Sequence, residues 1–317
     1  MSPNSWICLH PSNATQTTVS LDNRGLAYGD GFFTTMGVID GQILWLDYHQ
    51  QRLVSHAVAL QLQLDSFSLL MALKTHAKQL QQGMLKLIIT RAEQEVRGYG
   101  YTPNTGGGSA CEIWLKSSPM AITTARSLPL ADGQFIPLQP AASAICLSSQ
   151  IACLPPTLAG LKSLNRLDNV LASGELQAIK AKTLADTIKP SIAEGLLRDI
   201  SGHWVEGTMS NVFYQLVEEP VAKSSNRPHS QNNSNSNYLT QGQWYTPSMA
   251  QSGVAGVMRQ VIIDTLSTSE NPVIIRSLQD EDLPHLSQLF FCNALRGIMP
   301  MSSLRLLSGE VVSFEAI

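Results

Sequence analysis

A chain of 317 residues with 44% hydrophobic side chains has material for a sizeable core, in two domains or one large one. Its 21 Lys and Arg against 24 Asp and Glu leave a formal charge of −3, which excludes the broad basic field that nucleic acid or an anionic membrane surface requires. No apolar run approaches the ~18 residues of a membrane span, the first residues lack a basic start followed by an apolar stretch, and the five cysteines include no C-x-x-C pair; a soluble protein of the reducing cytoplasm is expected.

Near the N-terminus, DNRGLAYGDGFFTTMGVIDGQILWL alternates turn residues with short apolar or β-branched stretches, and its Asp40-Gly41 pair marks a tight hairpin. A helix is expected over residues 47–62, with Leu53, Ala57 and Leu60 on one face behind an Asp47 cap, and a second over FSLLMALKTHAKQL. MLKLIITRA and CEIWLKSS read as paired strands. The glycine-rich EQEVRGYGYTPNTGGGS between them reads as a surface loop long enough to reach over a site. Residues 118–128 are taken as an interdomain linker between a small domain, 1–117, and a larger one, 129–317.

In the second half, AEGLLRDISGHWVEGTMSNVFYQLV reads as a hairpin turning at Ser201-Gly202, followed by a strand from Asn211. Residues 222–243 are almost wholly polar, too poor in apolar surface to offset the entropy of ordering, and are expected to form a flexible insertion. SGVAGVMRQVIIDTLS is a helix behind a glycine-containing turn, and SQLFFCNALRGIMPMSSL a buried strand and a loop.

Four separated stretches carry groups that make chemical sense together. Lys162 precedes Leu164, Leu167, Val170 and Leu171 at the spacing of one helical face; an amine at a helix N-terminus has a lowered pKa and forms a Schiff base with an aldehyde, although a solvated lysine fits the same pattern. Arg52 on the first helix suits a phosphate, or is a surface arginine. Gly253, Ala255 and Gly256 open a helix whose free N–H groups suit an anion, or form a packing turn. Glu206 falls at a strand end, where it suits a protonated ring nitrogen or an exposed turn. Lysine, arginine with helix N-terminus, and glutamate are together what pyridoxal phosphate requires. Competing motifs are missing: no P-loop, G-x-S-x-G or H-E-x-x-H occurs, and His49, His56, His76 and His203 show no metal-ligand clustering.

Taken in order, DNRGLAYGDGFFTT, HQQRL, RGYGY, LKSLNRLDNVLASGE, VEGTMSNVF, GVAGVMRQ and CNALRGIMP resemble the fold-type IV pyridoxal phosphate enzymes, and within them most closely the aminodeoxychorismate lyases. The resemblance implies a mixed α/β (α+β) fold of two domains, the larger with a β-barrel-like sheet, a homodimer with sites near the interface, and pyridoxal 5′-phosphate as cofactor. It makes Lys162 the Schiff-base lysine and proton shuttle, Arg52 a phosphate ligand and Glu206 the partner of the pyridine nitrogen. The N–H groups of Val254 and Ala255, with Asn293, would complete the phosphate and substrate surroundings, and Asn165, Ser210 and Asn211 belong to the cofactor shell. Tyr28, Thr35, Arg97 and Tyr99 fall on the substrate side, Arg97 and Tyr99 as holders of a carboxylate.

The same fold hosts branched-chain and D-amino-acid transaminases, so fold alone does not select the reaction. Branched-chain members place a tyrosine shortly after the lysine, where SLNRL stands here. Arg166, the Thr34-Thr35 pair and RGYGY point to the lyase, whereas KSLN is shared with the D-amino-acid enzymes. The implied reaction converts 4-amino-4-deoxychorismate to 4-aminobenzoate and pyruvate, for folate synthesis, without a second substrate; a transaminase would instead release a keto acid.

Overall fold

The computed structural model describes residues 6–10, 18–103, 108, 110–122, 126–130, 133–183, 191–217, 242–267 and 271–314. Residues 222–241 of the expected insertion and 123–125 of the expected linker lie outside them.

The first half forms an antiparallel sheet of β1 (Trp6–His10), β2 (Gly31–Ile39), β3 (Gln42–Ile43), β4 (Gly83–Arg91) and β5 (Cys111–Pro119), in the order β1-β5-β4-β2-β3. Asp40 and Gly41 turn β2 into β3 with φ of 50° and 71°, the left-handed pair that a two-residue hairpin requires. Period-two alternation then divides the strands between two faces. Phe32, Met36, Leu85 and Leu87 bury against α2 (Leu46–Ala59) and α3 (Ser66–Leu80), while Phe33, Thr35, Met84 and Lys86 look the other way, into a cavity. Asp65 caps α3 by accepting from the Ser68 N–H at 3.0 Å. Asp47 is not the cap of α2: the helix starts at Leu46 behind Trp45, and Asp47 sits in the first turn, where its charge complements the helix dipole.

Besides the short strands β6 (Ser127–Pro129), β7 (Phe135–Pro137), β12 (Tyr245–Thr246) and β13 (Ile274–Ile275), the second half is built on six longer ones, β8 (Ala142–Ile151), β9 (Ile192–Asp199), β10 (Trp204–Gly207), β11 (Asn211–Leu216), β14 (Leu286–Asn293) and β15 (Gly297–Arg305). They are ordered β10-β9-β8-β15-β14-β11, and the pairing of Glu206 with Asn211 joins β11 back to β10, closing a six-stranded barrel. The fold is thus mixed α/β with a sheet barrel, as the resemblance implied. Helix α5 (Val257–Leu266) packs Met258, Val261 and Ile262 on Phe213 and Phe290 of the barrel wall.

Helix α4 (Leu167–Thr183) departs from expectation. Its buried residues are Ala172 and Leu176, which meet Leu147 and Leu197, whereas Leu167, Val170 and Leu171 are 78%, 61% and 71% exposed. The core-facing line runs through Asp168, whose carboxylate accepts from the Ala152 N–H, to Ala172 and Leu176, and leaves the more apolar line outside. Among the described residues, no helix is long and apolar enough to cross a membrane.

Candidate active site

A cavity of about 780 Å³ lies between the open face of the first sheet and the barrel. Lys162 reaches it from a loop. Because β3 pairs only with Val38 and Ile39, the start of β2 has a free edge, and residues 162–164 fill it: Phe33 N–H donates to Lys162 O and Leu164 N–H to Gly31 O, both at 3.0 Å. Gly160, with φ of 75°, makes the turn into this loop, and Leu167 begins the helix five residues after the lysine. Lys162 therefore does not stand at the N-terminus of α4, and helix potential is not what tunes it.

Burial, and next the nearby Arg52 charge, push the Lys162 amine down to about 8, against an upward pull from Glu206. From its ordinary 10.5 that is roughly 3 kcal/mol, well above the ~0.3–1 kcal/mol of a helix dipole even within its first turn. The Nζ lies 4.7 Å from the centre of the Phe33 ring. Since only the free base attacks an aldehyde, capture of pyridoxal phosphate by Lys162 is expected to speed up as pH rises and to level off above about 8. Borohydride trapping across neutral to alkaline pH checks this; a midpoint near the ordinary lysine value would mean that burial is not felt.

Arg52 is buried on α2 and donates from Nη2 to Ala255 O at 2.6 Å, beside the start of α5. Burial lowers its pKa to about 10, still cationic at neutral pH. The N–H groups expected here are corrected by their partners. Val254 N–H donates to Glu206 Oε2 at 2.8 Å and Ala255 N–H to Gly160 O at 2.9 Å, so neither is free for a phosphate. The first turn of α5 supplies free donors instead: Gly256 has no side-chain cap bond, and Gly256, Val257 and Met258 all line the cavity ahead of any intrahelical acceptor. A side chain at Gly256 would run into Asn211 Oδ1, which keeps the backbone bare there.

Glu206 is buried on β10, its second oxygen accepting from Asn169 Nδ2 at 3.3 Å. Burial raises its pKa, while the Val254 N–H, the Arg166 charge and Asn169 pull the other way. Asn211 donates to Val254 O at 2.8 Å and so holds the turn that feeds Glu206. Ser210 Oγ donates to Glu194 Oε2 at 2.8 Å. Glu194, overlooked in the sequence, also accepts from the Thr208 hydroxyl at 2.6 Å and so folds the loop between β10 and β11. Asn293 Oδ1 accepts from the Arg296 N–H at 2.8 Å, shaping the turn that brings Arg296 to the cavity.

Of the substrate-side residues, Thr35 lines the cavity and Thr34 points behind it, 2.9 Å from His49 Nδ1. Tyr28, Arg97 and Tyr99 lie outside the cavity of the single chain. The buried Arg24 guanidinium donates to Tyr99 O at 3.2 Å and the Tyr28 and Tyr99 rings meet edge-on at 5.3 Å, holding this part of the loop to α1 (Arg24–Tyr28). Asn165 is exposed and reaches Gly29 O at 3.4 Å. Lys86 was missed, although alternation through MLKLIIT sets it opposite Leu85 and Leu87, with its Nζ 5.4 Å from the Phe33 ring centre.

An amine held as a weak base, a cationic cup of Arg52 with a bare helix N-terminus, and a buried carboxylate facing the same cavity fit pyridoxal phosphate. Asn169 Oδ1 and Arg166 Nε, both buried without a partner, are further polar atoms of cavity-lining residues. Residues 31–304 match the family model for amino-transferase class IV. The chain belongs to that family. Class IV aminotransferases are the fold-type IV enzymes, and this chain is accordingly a pyridoxal phosphate-dependent enzyme. It is 25% identical to an aminodeoxychorismate lyase of Vibrio harveyi over 291 residues, 91% of this chain and 88% of that one. Among solved structures it is similar to 4-amino-4-deoxychorismate lyase from Pseudomonas aeruginosa, with 28% identity, TM-score 0.67 and coverage of 94% and 90% of the two chains. The same fold is seen in a hypothetical aminotransferase from Mycobacterium tuberculosis in its PLP-bound form, at 18% identity, TM-score 0.60 and coverage of 94% and 90%.

Proposed function

We propose that this class IV enzyme is an aminodeoxychorismate lyase, converting 4-amino-4-deoxychorismate to 4-aminobenzoate and pyruvate. The observation that carries the choice is the cationic lining beyond the cofactor cup: Lys86 on one wall and Arg296 on the other. An apolar amino acid has a single carboxylate to offer the pair, whereas the lyase substrate carries two, one for each cation to hold by charge-assisted hydrogen bonds. The similarity to lyases from two organisms supports the same reading.

In this role Arg52 and the N–H groups of Gly256, Val257 and Met258 hold the phosphate, and the Glu206 carboxylate holds a proton at the pyridine nitrogen. When bound, the cofactor supplies an electron sink for the pair left by a broken C–H bond. Lys162 takes the proton from the amine-bearing ring carbon, with its depressed basicity suited to both taking and returning it. The enolpyruvyl group leaves through cleavage of its ether C–O bond and is protonated to pyruvate as the ring becomes aromatic. Atoms balance without water or a second substrate.

The proposed assembly is a homodimer: Leu167, Val170 and Leu171 form an exposed apolar line beside the site, for which a second copy is the natural cover. The deciding experiment supplies aminodeoxychorismate without any keto acid. Equal amounts of 4-aminobenzoate and pyruvate are expected; no product, alongside amino-group exchange from D-alanine or a branched-chain amino acid, would replace the lyase by a transaminase.

A further inference from the structure

The two backbone groups of Lys162 are held by different elements. Its carbonyl accepts from Phe33 on β2, and its N–H donates to Nε2 of His56 on α2 at 2.9 Å. His56 follows Arg52 by one helical turn, so one face of α2 carries both the guanidinium of the anion cup and the imidazole that meets the lysine. We propose that His56 is a positioning residue for Lys162, fixing the lysine backbone through its N–H and tying it through α2 to the cup around Arg52. This rests on the reading of Lys162 as the lysine that captures the cofactor.

The role requires a neutral ring with a bare Nε2, and the neighbours specify one. Ser55 Oγ lies 3.1 Å from Arg52 O, a bond in which only the hydroxyl donates. The hydroxyl oxygen is left to accept from His56 Nδ1 at 3.3 Å, which puts the ring proton on Nδ1 and the lone pair on Nε2. Burial, then the charges of Arg52, Arg166 and Lys162, hold the imidazole down at about 3, so it stays an acceptor at working pH. Phe32 meets the ring edge-on at 5.3 Å and limits its rotation.

The Lys162 amine has two tasks, capturing the cofactor and moving a proton at the substrate carbon, and both require contact within hydrogen-bond reach. A flexible side chain of four methylenes amplifies any displacement of its own backbone, and proton transfer is the more demanding of the two tasks. Without His56 the Lys162 N–H has no acceptor in place, and the loop must shift to find one.

His56→Leu removes the acceptor while keeping bulk, and His56→Gln returns a carboxamide oxygen close to the Nε2 position. Full-length proteins are stripped of cofactor, given pyridoxal phosphate, fixed with borohydride and read by peptide mass spectrometry at Lys162. The leucine variant is expected to capture at least about tenfold more slowly, with kcat lowered more than KM, and the glutamine variant to return within about threefold of wild type, at matched melting temperatures. A leucine variant as fast as wild type, or a glutamine variant as slow as the leucine one, overturns the proposal. If the leucine variant does not fold, Ser55→Ala frees the tautomer without touching the core; a slowing of about threefold is expected, and an unchanged rate counts against the proposal. Wild-type protein with no adduct on Lys162 would overturn the reading of the lysine instead.

Discussion

Replacing Lys162 by alanine is expected to lower turnover by about 10⁴-fold or more and to abolish the borohydride-fixed cofactor adduct, because one amine serves as both attachment point and proton carrier. The loss should be chemical and not structural. The backbone bonds from Phe33 N–H and to His56 survive the substitution, as does the Leu164 bond to Gly31 that seals the edge of β2. The side chain contributes its contact with Phe33 and a charge that burial disfavours, so its removal also relieves repulsion with Arg52. Melting is therefore expected to change little or to rise. Turnover assays, mass spectrometry at residue 162 and a thermal melt check the three parts separately. A variant retaining a per cent or so of wild-type turnover would move the proton carrier elsewhere; Lys86, whose amine meets the same Phe33 ring, is the first alternative.

What the sequence made legible, and what it hid, follows the range of the interactions. The Asp40-Gly41 hairpin, the apolar face of α2, the helix α3, the paired strands β4 and β5 and the placement of Glu206 at a strand end all rest on local periodicity or turn chemistry, and the structure agrees with each. Barrel closure follows from no local pattern: Glu206 and Asn211 pair across a short turn, but the ring is completed by the parallel pairing of β8 with β9 and with β15, strands well separated from it in sequence. Lys162 was misplaced for the same reason. The pattern Leu164, Leu167, Val170 and Leu171 is helical in spacing, yet what fixes the lysine is the free edge of β2, about 130 residues earlier in the chain. The N–H groups of Val254 and Ala255 are local features of a glycine-containing turn, and their partners, Glu206 and Gly160, are remote. Lys86 was visible through strand alternation once the buried face was known. His56 gave no such signal, because its role lies in one hydrogen bond to a backbone distant in sequence.

Glu206→Gln is expected to lower kcat by about 10²- to 10³-fold with a small change in KM, the scale of losing one preorganised electrostatic contact to charge that develops in the transition state. Whether such a result reports electronics depends on the fold surviving, and the neighbours of Glu206 favour that. Both carboxylate oxygens are acceptors in the native site, one from the Val254 N–H and the other from Asn169 Nδ2. A glutamine presents its oxygen to Val254 and its amide nitrogen towards Asn169, whose own Oδ1 is buried and without a partner. Rotation of the Asn169 amide then restores a donor–acceptor pair where two donors would otherwise meet. Shape and hydrogen bonding are retained, and a charge for which burial raises the pKa is removed, so melting is expected to hold or improve. The lost property is the negative charge that keeps a proton on the pyridine nitrogen, and without it the electron pair left at the substrate carbon is poorly accommodated. Cofactor capture on Lys162 precedes that demand and is expected to continue, so the variant should bind cofactor and fail in turnover. Turnover within about threefold of wild type would remove Glu206 from the chemistry and leave it a structural acid of the Val254 turn.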